Sequence, residues 1–235
     1  MGARRAAADY KSFSLELFAG RFLTDLRTTA RSPGFPLLAT ALLLVTALLL
    51  AAHRFQHQIA QIDPTPASEM RWFSLSVEGS FGERFEFCLL LACGIAAADI
   101  AWRMRNRIFA VVAFIFLVTL ADDSLGLHER FGFAIGPVLG IHSDTGQLLW
   151  FLALGATLLP AILIAYRRSS PDERTASLLV LAMILVLGGF AVVVDAFQAI
   201  LDIPNLIEDG GELVTIAVLC FLMLATRATL LRQAR

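Results

Sequence analysis

Six stretches of the chain are apolar for long enough to cross a ~30 Å hydrocarbon layer as helices, which takes about 20 residues. They fall at 34–52, 85–102, 108–127, 146–166, 176–201 and 206–230. The third, fifth and sixth carry acids near one end, which softens their boundaries, and no internal repeat relates them. Ahead of the first, Leu15, Phe18, Phe22 and Leu26 share one helical face while Lys11, Arg21 and Asp25 lie elsewhere, the pattern of an amphipathic helix on a membrane surface. More than thirty residues precede the first apolar run, which argues against a cleaved signal peptide. The expectation is an all-α integral membrane protein, a bundle of about six transmembrane helices. Residues 1–33 form an amphipathic segment, 34–230 the membrane domain with a long loop at 53–84, and 231–235 a tail. In that loop Trp72 and Phe73 suit an interfacial anchor.

Composition agrees: 57% of the 235 residues are apolar and the mean hydropathy is +0.72, above the roughly 45–50% apolar content of soluble domains. Cys88, Cys93 and Cys220 sit inside apolar runs and read as small hydrophobes. The net charge of −1 matters less than its distribution. With residues 1–33 inside, fifteen of nineteen basic residues fall in cytoplasmic segments, and only Arg54, Arg71, Arg84 and Arg130 fall outside. The positive-inside rule therefore puts both 1–33 and 231–235 in the cytoplasm of a multi-pass protein of the bacterial inner membrane.

That topology sends fourteen of twenty acids, and His53, His57, His128 and His142, to the extracytoplasmic end. Some of these acids suit helix starts: Ser80 with Glu83, Asp144 with Gln147, and Asn205 with Glu208 fit N-caps and capping boxes, and Asp209 falls in a first turn. Asp122, Asp123 and Glu129 instead lie toward the C-terminal end of the third span, and Asp195 toward that of the fifth, where the helix dipole opposes negative charge. Asp122 is fifteen residues from Arg107 and Glu212 fifteen from Arg227, about 22 Å at 1.5 Å per residue, so both fall within the hydrocarbon slab. An acid at that depth needs a partner and is a functional candidate by default. On an unbroken third helix, Asp122 and Glu129 share a face with Gly126 between them, while Ser124 and His128 share another. Converging carboxylates must bind a cation, share protons or pair with arginine, for which Arg84 and Arg130 are available. The expected ligands of a divalent metal (zinc, iron, manganese or calcium) are Glu86, Asp122, Asp123, His128, Asp195, Glu208 and Glu212. Neither H-E-x-x-H nor a paired E-x-x-H is present. Asp99, four residues before Arg103, reads as a locally paired interfacial acid, and His53 with His57 as a solvated pair.

The run Asp122-Asp123-Ser124-Leu125-Gly126-Leu127-His128-Glu129, followed by Glu208-Asp209-Gly210-Gly211-Glu212-Leu213, resembles a pattern of uncharacterised bacterial multi-pass membrane proteins, which implies no known activity. A looser likeness is to the membrane hydrolases that include alkaline ceramidases and adiponectin receptors, which hold zinc with histidines. This chain lacks their late H-x-x-x-H and has six expected spans rather than seven. Three functions stay open. One is a metal-dependent hydrolase at the membrane interface, with Glu129, or alternatively His128, as the catalytic base. The second is a non-catalytic subunit or assembly factor binding a membrane-protein partner. The third, an ion or proton pathway, is weakened by the few polar residues, Asp99 and Thr119, in the cytoplasmic halves of the spans. The expected surroundings are the lipid bilayer and such a partner, not nucleic acid. A reporter fused within 103–107 or after Arg235 is expected to read as cytoplasmic and one near Pro64 as extracytoplasmic. A cytoplasmic signal at Pro64 would dissolve the convergence of acids on one side.

Overall fold

The computed structural model describes residue 20 and residues 22–62, 70–75, 77, 79–190 and 205–234, the side chains of Gln61 and Asn205 excepted. These residues form α1 (22–30), α2 (Gly34–Ile62), a 3-10 turn at Arg71–Phe73, α3 (Phe81–Met104), α4 (Arg107–Leu125), α5 (Leu127–Leu139), α6 (Ser143–Arg167), α7 (Pro171–Gly188) and α8 (Asn205–Gln233). No strand occurs among the described residues. The protein is an all-α, multi-pass membrane protein. Among the described residues, five helices are long and apolar enough to cross a bilayer: Gly34–Ala60, Phe81–Met104, Arg107–Leu125, Ser143–Arg167 and Leu206–Gln233. The fifth expected span begins as α7, whose start is charged by Asp172, Glu173 and Arg174, and its second half lies outside the described residues.

Local chemistry sets the helix ends. α2 runs ten residues past the expected 34–52, through His53 and His57, because nothing interrupts it before Pro64, whose ring disfavours helix in the preceding residue. Between α3 and α4 only Arg105 and Asn106 intervene. Arg105 adopts the left-handed conformation (φ 51°), and the Asn106 Oδ1 accepts the Ile108 and Phe109 N–H groups at 2.9 and 3.2 Å. α7 opens with a full capping box between Ser170 and Glu173 and with Pro171 at its first position.

α8 is the axis of the bundle. Of its apolar window 61% is buried, against 6% for α2 and for α6, so the last two turn most of their surface to lipid. α8 packs on α3, α7 and α2, α3 on α4, and α4 on α6. The interior is built from Leu90, Cys93 and Ile100 of α3, Phe109 and Phe116 of α4, and Leu219, Cys220 and Met223 of α8. Phe22 of α1 is fully buried in this core and Leu26 packs against it, so the described part of the amphipathic face is covered by protein rather than lipid. Leu15 and Phe18 lie outside the described residues. Thr29 of α1 meets Thr229 of α8, hydroxyl to hydroxyl, at 3.0 Å. Asp99 pairs with Arg103 at 2.7 Å as its spacing suggests, and its other oxygen takes Arg227 of α8 at 2.6 Å.

α5 and α6 form a hairpin whose closest approach is made by glycines. A Cβ on Gly132 would lie 2.6 Å from the Ser143 carbonyl oxygen, and one on Gly146 would lie 2.9 Å from the Gly132 Cα. Small residues at such crossings let helix backbones touch where lipid supplies no hydrophobic drive. Gly146→Leu is therefore expected to lower the thermal midpoint of the purified protein, by the ~1–3 kcal/mol typical of overpacking. Gly155→Leu, on the same helix but facing open space, should change it little. Equal midpoints for the two variants would refute the contact.

Candidate functional site

At the end of the bundle opposite the arginine-rich turns, the N-termini of α3, α5, α6 and α8 and the C-terminus of α4 surround an open cavity of about 1060 Å³. It is lined by Glu83, Asp122, Asp123, His128, Glu129, Asp144, Glu208 and Glu212, together with Arg84 and Arg130. Five of the seven expected metal ligands thus meet around one space. Glu86 is not part of the lining but stands one turn behind it, within electrostatic reach of Glu212, Asp123 and Asp209. Asp195 lies outside the described residues.

The third helix does not continue through Gly126, as the shared face of Asp122 and Glu129 requires. Gly126 turns left-handed (φ 57°), and its N–H closes α4 onto the Asp122 and Asp123 carbonyls. A new helix, α5, starts at Leu127. Glu129 then falls in a first turn, where the dipole favours negative charge, rather than at a disfavoured C-terminus. The physical cause is the glycine: a left-handed residue ends one helix and redirects the next.

The break gives Asp122 its compensation. Its Oδ1 accepts the His128 backbone N–H at 3.0 Å, serving the start of α5 in the manner of a cap, and its Oδ2 lies 3.1 Å from His128 Nδ1. Asp122 is 5% exposed. The His128 ring also stacks on Phe151 of α6, with centroids 5.3 Å apart. One carboxylate therefore fixes both the backbone and the ring of His128, and with Asp122 ionised the imidazole donates from Nδ1 and keeps Nε2 as an acceptor. The hydrogen bond that His128 donates to Asp122, followed by the charges of Asp122, Glu129 and Asp123, raises the His128 pKa above its ordinary 6.5, against the opposing effect of burial.

Among the described residues, no group of three His, Cys, Asp or Glu side chains is disposed to hold a metal ion. Both Asp122 oxygens are engaged with His128, so Asp122 acts here as the orienting carboxylate.

Several cap readings shift. Ser80 caps α3 by accepting the Glu83 N–H at 3.2 Å, and the Glu83 carboxylate takes the Gly79 N–H. α6 is capped by His142 rather than Asp144, which sits in the first turn, 3.1 Å from His142 Nδ1. α8 begins at Asn205 with Glu208 in its first turn. His53 is not solvated: it is 7% exposed, and its Nδ1 accepts the Leu75 N–H at 3.0 Å, pinning the loop onto α2. The sequence reading also missed Phe151, which no local motif marks.

A family model described as a domain of unknown function (DUF8692) matches residues 37–226. The chain belongs to that family. No curated protein and no solved structure matches it. The matched segment of this family member contains every described residue of the Asp122–His128 corner and of the cavity wall.

Because the folded-state pKa of His128 lies above the ordinary value, its protonation contributes stability that is fully present below about pH 6.5 and is lost as pH rises through the raised value. Asp122→Asn keeps an oxygen for the α5 backbone but removes the charge. It should flatten the fall in thermal midpoint above neutral pH, and an unchanged pH profile would refute the pairing.

Proposed function

We propose that the protein is a hydrolase of the membrane interface whose reaction centre is the Asp122–His128 pair, in a cavity opening on the extracytoplasmic side of the cytoplasmic membrane, with residues 1–33 and 231–235 inside. The observation that carries this reading is the double hold of Asp122 on His128. An imidazole held at Nδ1 and stacked on Phe151 is prepared to take a proton at Nε2, which is what water needs in order to attack an ester or amide carbonyl. His128 is accordingly the base and Asp122 its positioning residue. The imidazolium so formed returns that proton from Nε2 to the leaving group, and Glu129, exposed on the first turn of α5, adds negative charge that favours the imidazolium.

The lining carries seven carboxylates against two arginines and one histidine, a balance that favours a cation. In this reading Asp123, Glu208 and Glu212 draw a divalent ion toward His128, and Glu86 adds negative charge behind them. A bound ion lowers the pKa of its water. No three ligands stand together among the described residues, so binding requires side-chain movement or a further ligand such as Asp195. The substrates are lipid-like esters or amides, which reach an interfacial cavity from the bilayer.

His128→Gln is expected to lower hydrolysis of a panel of such lipids by about 10²–10⁴-fold, the range for loss of a general base, without loss of folding. Asp122→Asn should cost less and shift the pH–rate profile to lower pH. Elemental analysis should find a divalent metal in the wild type and less of it in a Glu208→Gln, Glu212→Gln double variant. If no lipid is turned over and His128→Gln instead releases a co-purifying membrane protein, the subunit reading replaces the enzyme.

A further inference from the structure

Two histidines at the acidic end of the bundle are held through Nδ1, and a proton acts on them in opposite ways. His128 faces the Asp122 carboxylate, so protonation of its ring strengthens the contact. His53 of α2 is buried, and its Nδ1 faces the Leu75 backbone N–H at 3.0 Å. An N–H donates only to a lone pair, so this bond exists only while Nδ1 is unprotonated. Protonation sets two donors face to face, and the bond is lost. We propose that His53 is a proton-operated latch, which holds residues 70–75 against α2 while it is neutral and releases them when the extracytoplasmic side turns acid.

The latched segment is short and moves as a unit. Its 3-10 turn closes on itself, the Phe73 N–H donating to the Met70 carbonyl at 2.9 Å and the Ser74 N–H to the Arg71 carbonyl at 3.0 Å. The Leu75–His53 bond ties this turn to a residue 22 positions earlier in the chain. The segment also grips α3 through side chains. Phe73 and Phe81 lie 5.4 Å apart, centroid to centroid, and the Leu75 side chain covers Gly82 so closely that a Cβ there would collide with it. Arg71 and Arg84 stand over the Trp72 ring at 5.0 and 5.9 Å. Arg84 lines the acidic cavity together with Gly79 and Glu83, so the segment braces that wall.

The charges around His53 suit a latch that opens and closes again. From α8 the Asp209 carboxylate is within electrostatic reach and offers an imidazolium a counter-charge, while Arg54 and His57 of α2 oppose the added charge. The charged groups of the turn and of the adjoining start of α3 are engaged elsewhere, Arg71 and Arg84 over Trp72 and Glu83 on the Gly79 N–H. A proton on His53 thus exchanges a bond to the segment for attraction to α8, and Arg84 loses the ring that steadies it at the cavity wall. Control of turnover by this route rests on the hydrolase reading of that cavity, whereas the latch itself does not.

The test is hydrogen–deuterium exchange on the full chain in neutral-lipid nanodiscs, read at about pH 7.5 and about pH 4.5, on either side of the ordinary imidazole value. Labelling times are scaled to the intrinsic exchange rate at each pH. The Leu75 amide is expected to exchange about tenfold faster or more in acid, while the buried stretch from Leu89 to Ala97 stays protected. In His53→Asn, whose side-chain oxygen accepts at both pH values, the acid rise should disappear. In His53→Leu, which accepts at neither, exchange at Leu75 should be fast at both; if that variant does not fold, His53→Asn decides alone. Protection that survives acid in the wild type, an acid rise retained in His53→Asn, or protection kept at neutral pH in folded His53→Leu would overturn the latch. Exchange at Leu75 is read whether or not any lipid is turned over, so a failed latch and a failed hydrolase are separate results.

Discussion

A single carboxylate, that of Asp122, holds the site together. It lies where a transmembrane helix ends against its own dipole, and the chain meets that cost by breaking the helix four residues later at Gly126 and bringing the amide and imidazole of His128 back onto the two oxygens. Without the glycine, His128 would continue up the same helix and Asp122 would face the cavity without that partner. Without Asp122, the first turn of α5 would lose an acceptor and the ring its orientation. The cavity, the direction of α5 and the chemistry assigned to His128 all follow from this one folded-back contact.

The contact is in turn held from outside. α5 is only thirteen residues long, about 20 Å at 1.5 Å per residue, too short to cross the bilayer. Its Phe133, Val138 and Leu139 are exposed, while Gly132 and Gly136 meet α6. It behaves as an interfacial helix clamped to a spanning one, and the same clamp sets Phe151 of α6 against the imidazole. Glycines that look featureless in the sequence thus decide where the ring lies.

The spanning helices were legible because a long apolar run has few alternatives in a bilayer, and five were recovered to within a few residues except at the far end of α2. The convergence of Asp122, Asp123, Glu129, Glu208 and Glu212 was legible too, since depth and topology fix which ends of helices share a side. What escaped was anything decided by one backbone angle or by distant chain. Gly126 was read as a residue on a continuous face, although a glycine just past an apolar run is a recognised stop signal. α5 was lost in the loop because it is short and contains Pro137. The Arg227 partner of Asp99, the Leu75 amide on His53 and the Phe151 stack join segments that no local spacing relates.

The position of α8 has a bearing on how the protein is made. The helix at the centre of the packing follows all the other described helices in the chain, so α2, α3, α4 and α6 enter the membrane before the surface they pack around has been synthesised. Until α8 arrives, the part of the core that Leu219, Cys220 and Met223 supply against α3 is missing. Assembly is thus postponed to a late step, and the acidic cavity, whose wall includes Glu208 and Glu212, does not exist before it. The nascent chain therefore carries the Asp122–His128 corner before the α8 part of the cavity wall has been made.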